Sequence, residues 1–170
     1  MTVRQRTWVR RCTGADGPAI IGGDWDRKQD GISYSRFTEK LKFKSCYMHW
    51  VEGVRWEETP YFRKYVRQMA EKGKVVAGHT TVSGLQERYR TLDAVFERIR
   101  RDGAMSTRPE HLITIHVARD GRLIFGPNGK HRLAIALILD LPHIPARLGF
   151  VHPGGLGRLR ELRAESARPA

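Results

Sequence analysis

The stretch that most constrains this chain is Gly126-Pro127-Asn128-Gly129-Lys130-His131-Arg132, between a short β-rich run, Leu123-Ile124-Phe125, and an apolar run from Leu133 to Leu139. A strand that enters a glycine-lined bend and leaves as a helix must form a tight strand-to-helix turn. The two glycines let the backbone turn sharply and approach a ligand with no side chain in the way. The following helix points its unpaired N–H groups and the positive end of its dipole back at the loop. Lys130, His131 and Arg132 add side-chain donors at the same spot. That set suits a phosphate or another oxyanion, with Gly126, Asn128, Gly129, Lys130, His131 and Arg132 as its lining. An ordinary turn carrying solvated basic residues has the same sequence signature.

The flanking pattern supplies the rest of the framework. Leu112 to Val117 alternates as a strand, Asp120-Gly121 is a hairpin turn, and Arg122 to Phe125 is the partner strand. After the helix, Asp140-Leu141-Pro142-His143 is a stop, and Ile144 to Val151 returns as a last strand. Upstream, Leu85, Tyr89, Leu92, Val95, Phe96 and Ile99 recur at helical spacing up to Gly103, with Ser83 and Gln86 reading as a capping box. The charged residues opposite, Arg88 among them, read as a solvated face. Thr59-Pro60 opens an earlier helix that runs through Phe62 and Met69 to a cap at Gly73. Tyr34 to Trp50 has rougher helical spacing. Helices followed by a hairpin and one late crossover helix predict an α+β fold, a small mixed sheet with flanking helices preceded by a helical N-terminal region.

Composition narrows the partners. Thirty-one Lys and Arg against 18 Asp and Glu leave a net charge of +13, which favours nucleic acid, nucleotides or another anionic partner. Two cysteines, Cys12 and Cys46, form no disulfide framework, which points to a reducing, cytoplasmic setting. The basic N-terminus is not followed by an apolar segment of the kind a signal peptide needs. The longest apolar run falls well short of the ~20 residues that span a bilayer, so no membrane partner is expected. The histidines show no metal-ligand spacing, and no structural metal is expected. The segment Gly22-Gly23-Asp24-Trp25-Asp26 is either a turn whose aspartates accept backbone N–H groups or a pair of carboxylates offered to a metal or a substrate.

The order helix, Ile99-Arg100-Arg101-Asp102-Gly103, strand, Asp120-Gly121 hairpin, Gly-rich loop with His131-Arg132, apolar helix and Ile144-Pro145 resembles the ParB N-terminal domain/sulfiredoxin superfamily, over about Leu85 to Val151. Composition and pattern mark a basic N-terminal arm over 1–19, a helical region over 20–80 and a basic tail over 153–170, and the resemblance implies a ParB/sulfiredoxin-like domain over 81–152. It also implies that the loop at the helix start binds nucleotide phosphates. Sulfiredoxins need a Cys just before the His-Arg pair. Lys130 stands there, so sulfinic acid repair is not expected.

The family's free-serine kinases carry Asp-Gly-x-His-Arg, with which Asn128-Gly129-Lys130-His131-Arg132 lines up. An amide at Asn128 neither takes a proton nor binds Mg²⁺ strongly. Any acid for turnover would come from the N-terminal half, with Asp24 and Asp26 as the catalytic candidates. The partition proteins of the family have Gly-Glu-Arg-Arg here, and Lys130 replaces the Glu. The implied ligand is a nucleotide (ATP, ADP or CTP) with Mg²⁺, and the implied activity is phosphotransfer or nucleotide hydrolysis. The alternative is a non-catalytic module that holds nucleic acid through its basic surface.

Overall fold

The computed structural model describes residues 19–27, 37–72, 75–126 and 128–166. The basic arm before residue 19, the first part of the Tyr34–Trp50 run, the Gly73 cap, Pro127 and the last residues of the tail lie outside the described residues. The described chain forms strands β1 (Ala19–Ile20), β2 (Ile113–Val117), β3 (Leu123–Phe125) and β4 (Ala146–Val151). Its helices are α1 (Leu41–Trp50), α2 (Pro60–Lys72), α3 (Val82–Asp102), α4 (Lys130–Ile138) and α5 (Leu156–Ser166). Two compact units result, each discontinuous in sequence. The sheet unit takes residues up to Arg36, Thr107–Gly129 and Pro145–Ala170; the helical unit takes Phe37–Ser106 and Lys130–Ile144. Long helix α3 therefore groups with the helices before it, across the division at residue 81 that the sequence suggested.

In the sheet unit the strand order is β1-β4-β2-β3. The hairpin is antiparallel, pairing Ile115 with Phe125 and Val117 with Leu123, and β4 runs parallel to both β2 and β1. Gly121 takes φ 77°, the left-handed conformation that an Asp-Gly turn requires. Central strand β2 is buried on both faces: Ile113 and Val117 on one, Thr114 and His116 on the other. The sequence tail continues as α5, a full helix after the 3₁₀ turn Pro153–Gly155.

In the helical unit α2 begins where Thr59-Pro60 predicts. The Thr59 hydroxyl donates to the Trp56 carbonyl at 2.7 Å and its oxygen accepts the Phe62 N–H at 3.4 Å. At the start of α3 the cap is Thr81, accepting from the Gly84 N–H at 3.2 Å, and not Ser83. Ser83 already lies inside the helix, and Gln86 reaches instead to Glu57 at 3.0 Å. Gly103 closes α3 in the left-handed conformation, donating to the Ile99 carbonyl. The apolar stripe read from the sequence packs as expected. Phe96, Ile99 and Met105 form one buried cluster with Ile135 and Ala136 of α4. Asp93, on the same helix, ties three rings together. It accepts from the indole N–H groups of Trp50 and Trp56 at 2.9 Å each, and His49 lies 3.1 Å away. No described helix is long and apolar enough to cross a membrane.

Candidate anion site

The residues expected to form one site divide between the two units. In the sheet unit, Gly23 at φ 85° turns the chain so that Asp24 and Asp26 both meet Arg119, just beyond β2. The Oδ2 of Asp26 accepts from the Arg119 backbone N–H and from its Nε, both at 2.8 Å. Its Oδ1 accepts from a terminal guanidinium nitrogen at 2.6 Å, and the same nitrogen reaches Asp24 Oδ1 at 3.0 Å. The guanidinium holds the Asp26 carboxyl well below the usual carboxylate range, against the opposing effect of burial. A carboxylate so depressed is a weak proton acceptor at neutral pH. Between the aspartates, the Trp25 indole donates to the Ile21 carbonyl and packs edge-on to His116 and Phe150.

The glycines of the loop answer to β2. The Gly126 N–H donates to the Thr114 carbonyl at 2.7 Å, and a Cβ there would stand 2.8 Å from that oxygen. Gly129 has φ 85°, and a Cβ would stand 2.7 Å from the Ile113 side chain. Close passage along a buried strand thus accounts for both, and the Gly126 amide already has an acceptor. Asn128 is exposed.

The basic half of the motif opens α4 in the helical unit. Lys130 and Arg132 are half-buried, whereas His131 is 9% exposed and turns inward. Its ring stands edge-on to Tyr89, with centroids 6.1 Å apart. Three buried polar atoms of this unit have no hydrogen-bond partner among the described residues: His131 Nε2, the Tyr89 hydroxyl and Arg88 Nε. Lys42 of α1 stands over the Tyr61 ring at 4.9 Å, and its ammonium feels both Lys130 and Arg88. Burial, then repulsion from those two cations, pushes Lys42 down to about 8. Burial, then Lys42 and Arg88, push His131 well below the ordinary histidine value. Burial raises the Cys46 thiol to about 12 and drives the Tyr89 phenol upward, so both are neutral at pH 7. Tyr89 also borders a cavity of about 150 Å³ lined by Trp56, Glu57, Gln86 and Arg90.

The sequence motif includes Lys130 and His131 but not Lys42, Arg88 or Tyr89. Arg88 was grouped with a solvated face and Tyr89 with the core. The signal lay in their adjacency: at the edge of an apolar stripe, a long cationic side chain can follow its aromatic neighbour inward. Among the described residues no group of three or more His, Cys, Asp or Glu side chains converges in a way that could hold a metal ion. No family model, curated protein or solved structure matches the chain.

Proposed function

We propose that this protein binds the phosphate of a nucleotide or another phosphorylated ligand at the start of α4. One observation carries the proposal: three buried polar atoms without hydrogen-bond partners, on Arg88, Tyr89 and His131, lie in one unit with the charges of Lys42 and Lys130. A buried polar group left unpaired costs about 1–3 kcal/mol. An oxyanion supplies both the acceptors and the countercharge, and charge-assisted bonds of this kind are the strong ones. The loop's resemblance to the ParB/sulfiredoxin superfamily, whose members hold nucleotide phosphates at this turn, supports ATP, ADP or CTP, with or without Mg²⁺, as the first ligands to try. Arg132 is the further cation of that turn expected to touch phosphate. Binding is proposed here, not turnover. Asp24 and Asp26, the carboxylates expected to serve catalysis, are engaged by Arg119.

The nucleic-acid alternative has less support. On the exposed face of α3, Arg90 pairs with Glu87, Arg100 with Glu97 and Arg101 with Asp102, so much of that positive charge is neutralised locally.

Titration calorimetry with ATP, ADP and CTP, with and without Mg²⁺, tests the proposal. Binding by the wild type, lost in Arg88→Met and Lys130→Met variants of unchanged circular dichroism, is the expected result. A folded wild type that binds none of the three nucleotides overturns it.

A further inference from the structure

This inference rests on the anion site proposed above and concerns how that site handles charge. Among the described residues, the charges that act on His131 are both cations, Lys42 of α1 and Arg88 of α3, and its ring stands edge-on to the neutral Tyr89. Lys130 of α4 and the neutral Cys46 thiol act on Lys42, and the carboxylate of Asp93 on α3 acts on Cys46. The α2 tyrosines, Tyr61 and Tyr65, join hydroxyls at 2.7 Å, and Tyr65 acts on Tyr89. Without a ligand, an imidazolium at His131 would be a further cation beside two others, at a position 9% exposed. The ring is therefore neutral while its Nε2 stays buried and without a partner.

We propose that this site takes up a compact doubly charged oxyanion together with one proton from solvent, which settles on His131. The proton turns Nε2 into a charged donor aimed at the anion, beside the Tyr89 hydroxyl and Arg88 Nε. The anion reverses the sign of the local field, so the same burial that disfavours the imidazolium in the empty site strengthens the pair once formed. Lys42 adds a second, separate effect. Its ammonium is fully charged near pH 6.5 and partly discharged above pH 8, so anion binding there also recharges Lys42.

Sulfate is the probe, because it stays a dianion from pH 6 to 9 and contributes no proton of its own. Calorimetric titration of the full chain is run in two buffers of different ionisation enthalpy. At pH 7 the heats should differ by the equivalent of close to one proton per sulfate. Affinity should fall as pH rises, approaching tenfold per pH unit for one linked proton. His131→Gln should remove the buffer dependence at pH 7. Lys42→Arg should leave it at pH 7 and reduce the additional uptake at pH 8.5.

A measurement on the wild type needs no variant: the His131 ring-proton NMR signal should move to the imidazolium position as sulfate is added. Sulfate binding with equal heats in both buffers and an unmoved His131 signal overturns the inference and leaves nucleotide binding standing. Nucleotide binding without sulfate binding does the same. If neither sulfate nor any nucleotide binds, the function proposed above fails and this inference with it.

Discussion

Asp26 holds Arg119 at both ends. One carboxylate oxygen takes the backbone N–H and Nε, and the other takes a terminal nitrogen of the guanidinium. Asp26 is 4% exposed, so the carboxylate that fixes the turn after β1 to the residue beyond β2 lies almost wholly out of water. Asp24, whose side chain is 67% exposed, shares the same guanidinium and also Arg27 at 3.3 Å.

That difference in burial separates two neighbouring aspartates. Asp26→Ala leaves the Arg119 N–H and guanidinium without their main acceptor, and should lower unfolding free energy by about 1–3 kcal/mol. Asp24→Ala removes an exposed pair and should cost less than about 1 kcal/mol. Urea unfolding of both variants at pH 7 checks this. Equal losses would mean that the buried contacts of Asp26 do not anchor the turn.

What the sequence made legible follows from periodicity and turn chemistry. Leu85 to Ile99 repeats at a helical period and packs as read, and Asp120-Gly121 can scarcely do anything but reverse a hairpin. The cap of α3 was misplaced by two residues because Thr81 and Ser83 are chemically alike, and only the backbone decides which lies outside the first turn. Gly126 and Gly129 read in the sequence as room for a ligand, but a glycine marks close approach without saying to what. Here the neighbour is β2, through Thr114 and Ile113. Lys42 was invisible because its partners, Arg88 and Lys130, lie far from it along the chain.

Asp93 should prove a sensitive half-buried position of the helical unit. It is the shared acceptor for the Trp50 and Trp56 indoles, and Trp50 stacks on Phe96 with centroids 4.7 Å apart. Asp93→Ala leaves both indole N–H groups without that acceptor and should cost about 2 kcal/mol or more, whereas Asp93→Asn keeps a side-chain oxygen and should cost less. Unfolding followed by tryptophan fluorescence reports on those same rings. Equal effects of Ala and Asn would show that the acceptor oxygen is not what matters.

His116 sets a pH window for stability. Burial pushes its imidazole down to about 4, against about 6.5 when exposed, and its Nδ1 accepts the Phe150 N–H at 2.7 Å. Between those values the unfolded chain binds a proton that the folded chain does not. Stability from this residue is therefore fully present above pH 6.5 and falls as pH drops toward 4, by on the order of 3 kcal/mol. Buried His131 shifts in the same direction and adds to the slope. Urea midpoints from pH 4 to 7 should decline with acid in the wild type and decline less steeply in His116→Gln. A slope unchanged by that substitution would remove His116 as a cause.

The same ring leaves Gly149 no room for a methyl group. A Cβ on Gly149 would stand 2.5 Å from His116 Cε1 and 2.6 Å from its Nδ1, with Thr114 Cγ2 at 3.0 Å. The ring is stacked on Phe150 at 4.8 Å and bonded to the Phe150 N–H, so it has little room to give. Gly149→Ala should therefore cost about 1–3 kcal/mol, the usual penalty for overpacking a closed core. Gly157 is the contrasting case: it lies in α5, and nothing stands within 4 Å of its would-be Cβ. There Ala lowers the entropy of the unfolded chain and suits a helix, so Gly157→Ala should raise stability by up to about 1 kcal/mol. Thermal unfolding of the two variants side by side should move the midpoint in opposite directions. A Gly149→Ala variant as stable as the wild type would mean that β4 passes His116 less closely than it does here.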